Sequence, residues 1–198
     1  LSLLKQLSFP LAAPSANPYN RISPTSSYHV KGYFENTLPF VLEGGECKNG
    51  IESTIIGFEN NEAILYRLGA ISVEDIEKII GKIQIKNKSE TTPNAPGMLA
   101  KHYAPKTKMY LLDDIDEFIE NNKNKKIGVL RFQGKLNTTR FEHIEILSIS
   151  GDLKEAASKL YSTLHKLDSL NLDIIVAEKF PDVGLGKSIN DRLERAIK

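Results

Sequence analysis

Apolar positions in the second half of the chain switch between helical and strand spacing in a readable order. That order predicts a strand at 109–112, a helix at 115–122, strands at 127–132 and 143–147, a helix at 152–167, a strand at 172–177 and a helix at 185–197. Strands that alternate with helices favour a parallel sheet with both faces covered. On the long helix, Leu153, Ala157, Leu160, Tyr161 and Leu164 fall on one side, which marks the face turned to the core.

The first half is more broken. Residues 1–7 carry apolar positions at helical spacing, and 9–13 and 38–42 read as short buried strands. Pro14 and Pro18 hold the residues before them extended, so 15–24 is a shaped loop, with Thr25 as cap of a helix through Val30. Residues 53–58 and 63–68 predict two strands joined by a turn at 59–62. Ser72, with Asp75 three residues on, predicts a capped helix over 73–80. Residues 82–92 are polar, and the stretch "NAPGMLAKHYAPKT" is interrupted by prolines and Gly97. It still carries Met98, Leu99, His102 and Tyr103, the marks of a linker that lies against a surface.

Composition narrows the function classes. The 198 residues carry a formal net charge of +1, which gives no electrostatic reason to expect a nucleic-acid or anionic-membrane surface. Cys47 is the single cysteine, so no internal disulfide framework exists and a reducing, cytoplasmic compartment is the simpler expectation. No apolar run approaches the roughly 20 residues of a membrane span. The first 17 residues loosely mimic a signal peptide, but Lys5 sits inside the apolar run and Pro10 and Pro14 interrupt it.

Candidate chemistry gathers in three places. Ser15, Asn17, Ser23 and Thr25 alternate with prolines, and hydroxyls and amides on a fixed loop can hold phosphate oxygens, a ribose or a small polar substrate; each could equally bond its own loop. "LEGGECKNGIESTI" follows, with Ser53 opening a strand and with glycines that lack the spacing of a Walker loop. Arg67 ends the apolar strand "ILYRLGA", where a guanidinium can make two parallel bonds to phosphate or pair with a carboxylate. Glu43 and Glu52 lack metal-ligand spacing, and the four histidines at 29, 102, 143 and 165 are scattered. "PDVGLGKSINDRL" resembles a phosphate loop at a glance, yet a turn into an amphipathic helix explains it as well.

The segments "PLAAPSANPYNRISPT", "LEGGECKNGIESTI", "ILYRLGAIS", "APGMLAKHYAPKT" and "GLGKSINDRLERA", in this order, resemble the long form of the YrdC family, the L-threonylcarbamoyladenylate synthases. The resemblance implies an α/β chain in which 1–86 are the C-terminal half of a YrdC-like catalytic domain, a partial twisted mixed sheet with helices. Residues 87–107 would be the interdomain linker, and 108–198 a small Rossmann-like parallel-sheet domain. It implies synthesis of threonylcarbamoyl-AMP and pyrophosphate from L-threonine, bicarbonate and ATP, with Mg²⁺ accompanying ATP. The product would pass to the tRNA threonylcarbamoyl transfer machinery for adenosine 37, with room for a tRNA contact. By the same resemblance Ser15 and Ser53 face threonine, Asn17, Ser23 and Arg67 face the nucleotide, and His102 and Tyr103 belong to the segment that closes over it. The linker reads "MLAKHYAP" where the family has "MKYRHYAP", so Ala100 and Lys101 replace a tyrosine and an arginine. The family's basic triphosphate-binding first half has no counterpart in these residues. The expectation is a further half-domain upstream, on the order of a hundred residues, and no activity from these 198 residues alone. Two other readings remain: an RNA-binding or translation-associated YrdC-like module, against which the near-neutral charge speaks, and a regulatory unit at 108–198 that gates a neighbouring site.

Overall fold

The computed structural model describes residues 2–35, 37–87, 102–134 and 141–197. Two helices precede the first sheet: α1 (Ser2–Lys5) and α2 (Ser27–Phe34). The cap of α2 is Ser26, whose hydroxyl accepts from the His29 amide, and not Thr25, whose own amide donates to His29 Nδ1 at 3.2 Å. Residues 9–13 and 38–42, expected as strands, are irregular backbone, and Phe9, Leu11, Phe40 and Leu42 stand exposed. Their apolar runs report side-chain preference, whereas a strand also needs a backbone partner, and none is formed among the described residues.

Strands β1 (Ile55–Glu59) and β2 (Glu62–Arg67) make an antiparallel hairpin. Its turn places Asn60 and Asn61 at positive φ, which asparagine tolerates better than branched residues. Helix α3 (Val73–Ile80) follows, with the Ser72 hydroxyl accepting from Asp75 N, as the sequence predicts. The polar stretch after it contributes β3 (Gln84–Ile85), parallel to β2. Leu65, Leu68, Val73, Ile76 and Ile83 form the small core of this unit.

The second unit follows the predicted order closely: β4 (Lys108–Leu112), α4 (Ile115–Asn121), β5 (Ile127–Arg131), β6 (His143–Ile146), α5 (Leu153–Asp168), β7 (Ile174–Glu178) and α6 (Leu185–Ala196). Its four strands are all parallel, in the order β4-β7-β5-β6. Near-continuous burial of β5 and β7 is what a parallel sheet covered on both faces requires. One face packs on α4 through Ile115, Ile119, Val129 and Val176; the other carries the main core under α5 and α6.

That main core crosses the boundary between the units. Ile22 and Ile51 from the first belong to it, together with Tyr103, Ala157, Leu160 and Tyr161. Polar bonds follow the same seam: the Ser188 hydroxyl donates to the Gly69 carbonyl at 2.8 Å in a buried setting, and Lys187 meets Glu74 at 2.8 Å. The glycine-lysine-serine run that looks like a phosphate loop therefore serves as a docking edge for the first unit.

Candidate functional site

Three loop segments and one helix meet at a cleft of about 390 Å³. Ser15 stands at its edge, Ser23 to Thr25 and Cys47 to Glu52 form its walls, and Tyr161 of α5 lies at its base. The proline-rich loop holds its shape through local bonds: Asn17 N donates to the Ser15 carbonyl at 3.0 Å, and Asn17 Nδ2 donates to the carbonyls of Pro18 and Arg21 at 3.1 and 3.2 Å. Asn17 Oδ1 is buried and has no partner among the described residues. An orphaned buried acceptor is costly unless a ligand or water supplies a donor.

Ser23 is buried and donates its hydroxyl proton to Glu52 Oε1 at 2.7 Å. Glu52 Oε2 accepts from Tyr161 at 3.0 Å and from Arg192 Nε at 2.9 Å. Burial alone would push the Glu52 carboxyl up; the Arg192 charge and the bonds from Ser23 and Arg192 outweigh it and hold the carboxyl below the usual range. Ser53, next in the chain, is exposed at the start of the hairpin. Its carbonyl and hydroxyl accept from Arg67 Nε and Nη2 at 3.0 and 3.1 Å. The expected residues thus fall into two groups, Ser15 and Ser23 on the cleft and Ser53 with Arg67 as a bonded pair on the hairpin.

His102 and Tyr103 pack against the second unit. The His102 amide donates to the Arg195 carbonyl at 3.0 Å, its ring lies 4.0 Å from that of Tyr103, and Nδ1 is buried without a partner among the described residues. Burial lowers the His102 pKa, with the Glu52 charge opposing. Tyr103 is held at positive φ (62°) and stacks at 5.6 Å on Tyr161. Ala100 and Lys101 lie outside the described residues.

Behind this cleft lies a buried charge network that the sequence reading passed over. Arg192, 1% exposed, bonds Glu52, the Leu68 carbonyl at 2.6 Å and Asp191 at 2.5 Å, and its guanidinium sits 4.9 Å over the Tyr103 ring. Asp191 also accepts from Arg195 and from Asn87 Nδ2. One signal was available: Arg192 falls at helical spacing among Ile189, Leu193 and Ala196, a charge inside an apolar face.

As for metals, no group of three or more His, Cys, Asp or Glu among the described residues is arranged to hold an ion. Glu43 is occupied with Ser27 and the Gly45 amide, well apart in role from Glu52.

Comparison with known proteins follows the same layout. Residues 1–69 match the family described as "Telomere recombination", and 71–197 the family described as "Threonylcarbamoyl-AMP synthase, C-terminal domain". Threonylcarbamoyl-AMP synthases of Pyrococcus abyssi and Bacillus subtilis are each 32% identical over 99% of this chain, and that of Schizosaccharomyces pombe is 30% identical. The chain spans 60%, 59% and 54% of those three relatives. The crystal structure of P. abyssi Sua5 complexed with L-threonine superposes with a TM-score of 0.79 at 33% identity, covering 94% of this chain and 59% of that one. From its first matched residues to the end of α6, this chain belongs to the Sua5/YrdC family, and its larger part to the threonylcarbamoyl-AMP synthase C-terminal domain family.

Proposed function

We propose that the protein carrying this chain is a threonylcarbamoyl-AMP synthase. It joins L-threonine, bicarbonate and ATP into threonylcarbamoyl-AMP with release of pyrophosphate, and hands the product to tRNA modification at adenosine 37 in the cytoplasm. The observation that carries this reading is the match of almost the whole chain, in sequence and in fold, to proteins of that name, one of them solved with L-threonine. The cleft supports it, because Ser15, Ser23 and the orphaned Asn17 Oδ1 are polar groups in one loop region, as a small amino acid or nucleoside requires. No helix among the described residues is long and apolar enough to cross a membrane.

In this reading the threonine amine adds to bicarbonate, water leaves, and a carbamate forms. A carbamate oxygen then attacks the α phosphorus while the bond to the β phosphate breaks and pyrophosphate departs. Mg²⁺ travels with ATP as part of the substrate and neutralises charge on the phosphates; the residues described do not form an ion cage of their own. Ser15 and Ser53 receive threonine, Asn17, Ser23 and Arg67 the nucleotide, and His102 with Tyr103 covers it. Orientation of bound groups supplies most of the rate gain. The test is pyrophosphate release by the protein at the full length of its relatives. Release that requires both threonine and bicarbonate is expected; release that ignores either removes the reading.

A further inference from the structure

The bond from Ser23 to Glu52 has a direction, and the direction constrains what the cleft can receive. A serine hydroxyl has one proton and two lone pairs. Here the proton is committed to Glu52 Oε1 at 2.7 Å, so the oxygen can offer the cleft only lone pairs. Glu52 cannot return a proton while it is ionised, and its other oxygen is already bonded to Tyr161 and Arg192. Arg192 in turn is fixed from three sides by Glu52, Asp191 and the Leu68 carbonyl, with Tyr103 beneath its plane. Asp191 is shared with Arg195, so Glu52 is the carboxylate that Arg192 holds without a competing arginine among the described residues. The Arg192 guanidinium reaches Glu52 across the seam and keeps a carboxylate ionised behind Ser23.

We propose that Arg192, acting through Glu52, is a positioning residue that fixes the Ser23 hydroxyl as a hydrogen-bond acceptor toward the cleft, so that the group received there is a donor, an ammonium or a hydroxyl, and not a phosphate oxygen. The proposal deepens the synthase reading and rests on it for the identity of the ligand. Donors of this kind come from two sources, the amine and hydroxyl of threonine or the ribose hydroxyls of ATP. It also sharpens the sequence reading, in which hydroxyls of this loop could serve phosphate: with its proton engaged by Glu52, Ser23 has none to give to a phosphate oxygen.

The experiment uses the protein at the full length of its relatives, with Ser23→Ala, Glu52→Gln, Arg192→Lys and Arg192→Met. Binding of L-threonine, its amine-free analogue, ATP, 2′-deoxy-ATP and inorganic tripolyphosphate is measured by calorimetry. Ser23→Ala and Glu52→Gln are expected to weaken the donor ligand roughly tenfold, the effect of one hydrogen bond, and to leave tripolyphosphate unchanged. Loss confined to threonine and absent for its amine-free analogue assigns the amine; loss confined to ATP and absent for 2′-deoxy-ATP assigns the ribose. Equal weakening of tripolyphosphate overturns the proposal. A second readout is independent of any ligand: the Glu52 carboxyl, followed by carbon NMR, should titrate at higher pH in Arg192→Met and return toward the wild-type position in Arg192→Lys. An unmoved Glu52 titration also overturns it. Should the unsubstituted protein release no pyrophosphate while Glu52 responds to Arg192 as expected, the synthase reading fails and the polarity of Ser23 stands.

Discussion

Gly50 approaches α5 so closely that a β-carbon built on it would lie 2.1 Å from the Ser158 carbonyl oxygen. Its φ of +63° adds a second reason for glycine at this point. Gly50→Ala must therefore part the wall of the cleft from the helix under it. A loss of about 2–4 kcal/mol is expected from the left-handed backbone and the overpacking together, read by urea unfolding. A variant as stable as the wild type would mean that the two units do not meet as described.

Asp152 caps α5, accepting from Lys154 N at 2.6 Å and Glu155 N at 3.2 Å. Asp152→Ala leaves both amides to water and should cost about 1 kcal/mol. Chemical denaturation measures it. Asp152→Asn, which retains an acceptor, should recover most of that loss.

His165 stacks on His29 with ring centroids 3.9 Å apart, and one ring nitrogen faces the Ser23 carbonyl at 3.2 Å. Burial first, and then the neighbouring His29, lowers its pKa from 6.5 to about 4. The folded form thus keeps His165 neutral where the unfolded chain protonates it. Stability is unaffected above about pH 6.5, falls as pH drops from there toward 4, and the loss is complete below that. Tyr33, Asp168 and Arg21 surround the pair, and His29 is itself depressed by burial. Replacing His165 by Phe should flatten the slope of melting temperature between pH 6.5 and 5, where ordinary carboxylates contribute little. An unchanged slope would place the acid sensitivity on another group.

Asn17 offers the plainest test of the expected nucleotide contacts. In the protein at the full length of its relatives, Asn17→Ala should raise KM for ATP roughly tenfold, and KM for threonine by a smaller factor, because Asn17 Nδ2 also braces the loop that carries Ser15. An unaltered KM for ATP removes Asn17 from the pocket.

The second unit was legible because each of its elements carries its own periodic signal. Leu153, Ala157, Leu160 and Leu164 name one face of α5, and the continuous runs of β5 and β7 name buried parallel strands. The first unit was legible only where a local device fixes the chain, as at Ser72 or the Asn60–Asn61 turn. Runs such as 38–42 misled, since Phe40 and Leu42 look like a buried strand and are 86% and 77% exposed. Candidate residues on the loop could be named from polar groups between prolines, and two of them, Ser15 and Ser23, line one cleft. Glu52, Tyr161 and Arg192 could not be joined, because 109 and 140 residues separate Glu52 from its two partners and no local pattern signals such a bond.

The strand order β4-β7-β5-β6 has a consequence for how the chain is made. β7, synthesised after the other three strands of its sheet, is inserted between the first and the second of them, so β4 has no strand neighbour among the described residues until Ile174–Glu178 have emerged. α6 comes later still, and with it the only arginine that reaches Glu52 among the described residues. A ribosome that stops short of β7 releases a sheet without its centre, and one that stops short of α6 a cleft without its backing, so β4 and the cleft each wait for a segment made long after them.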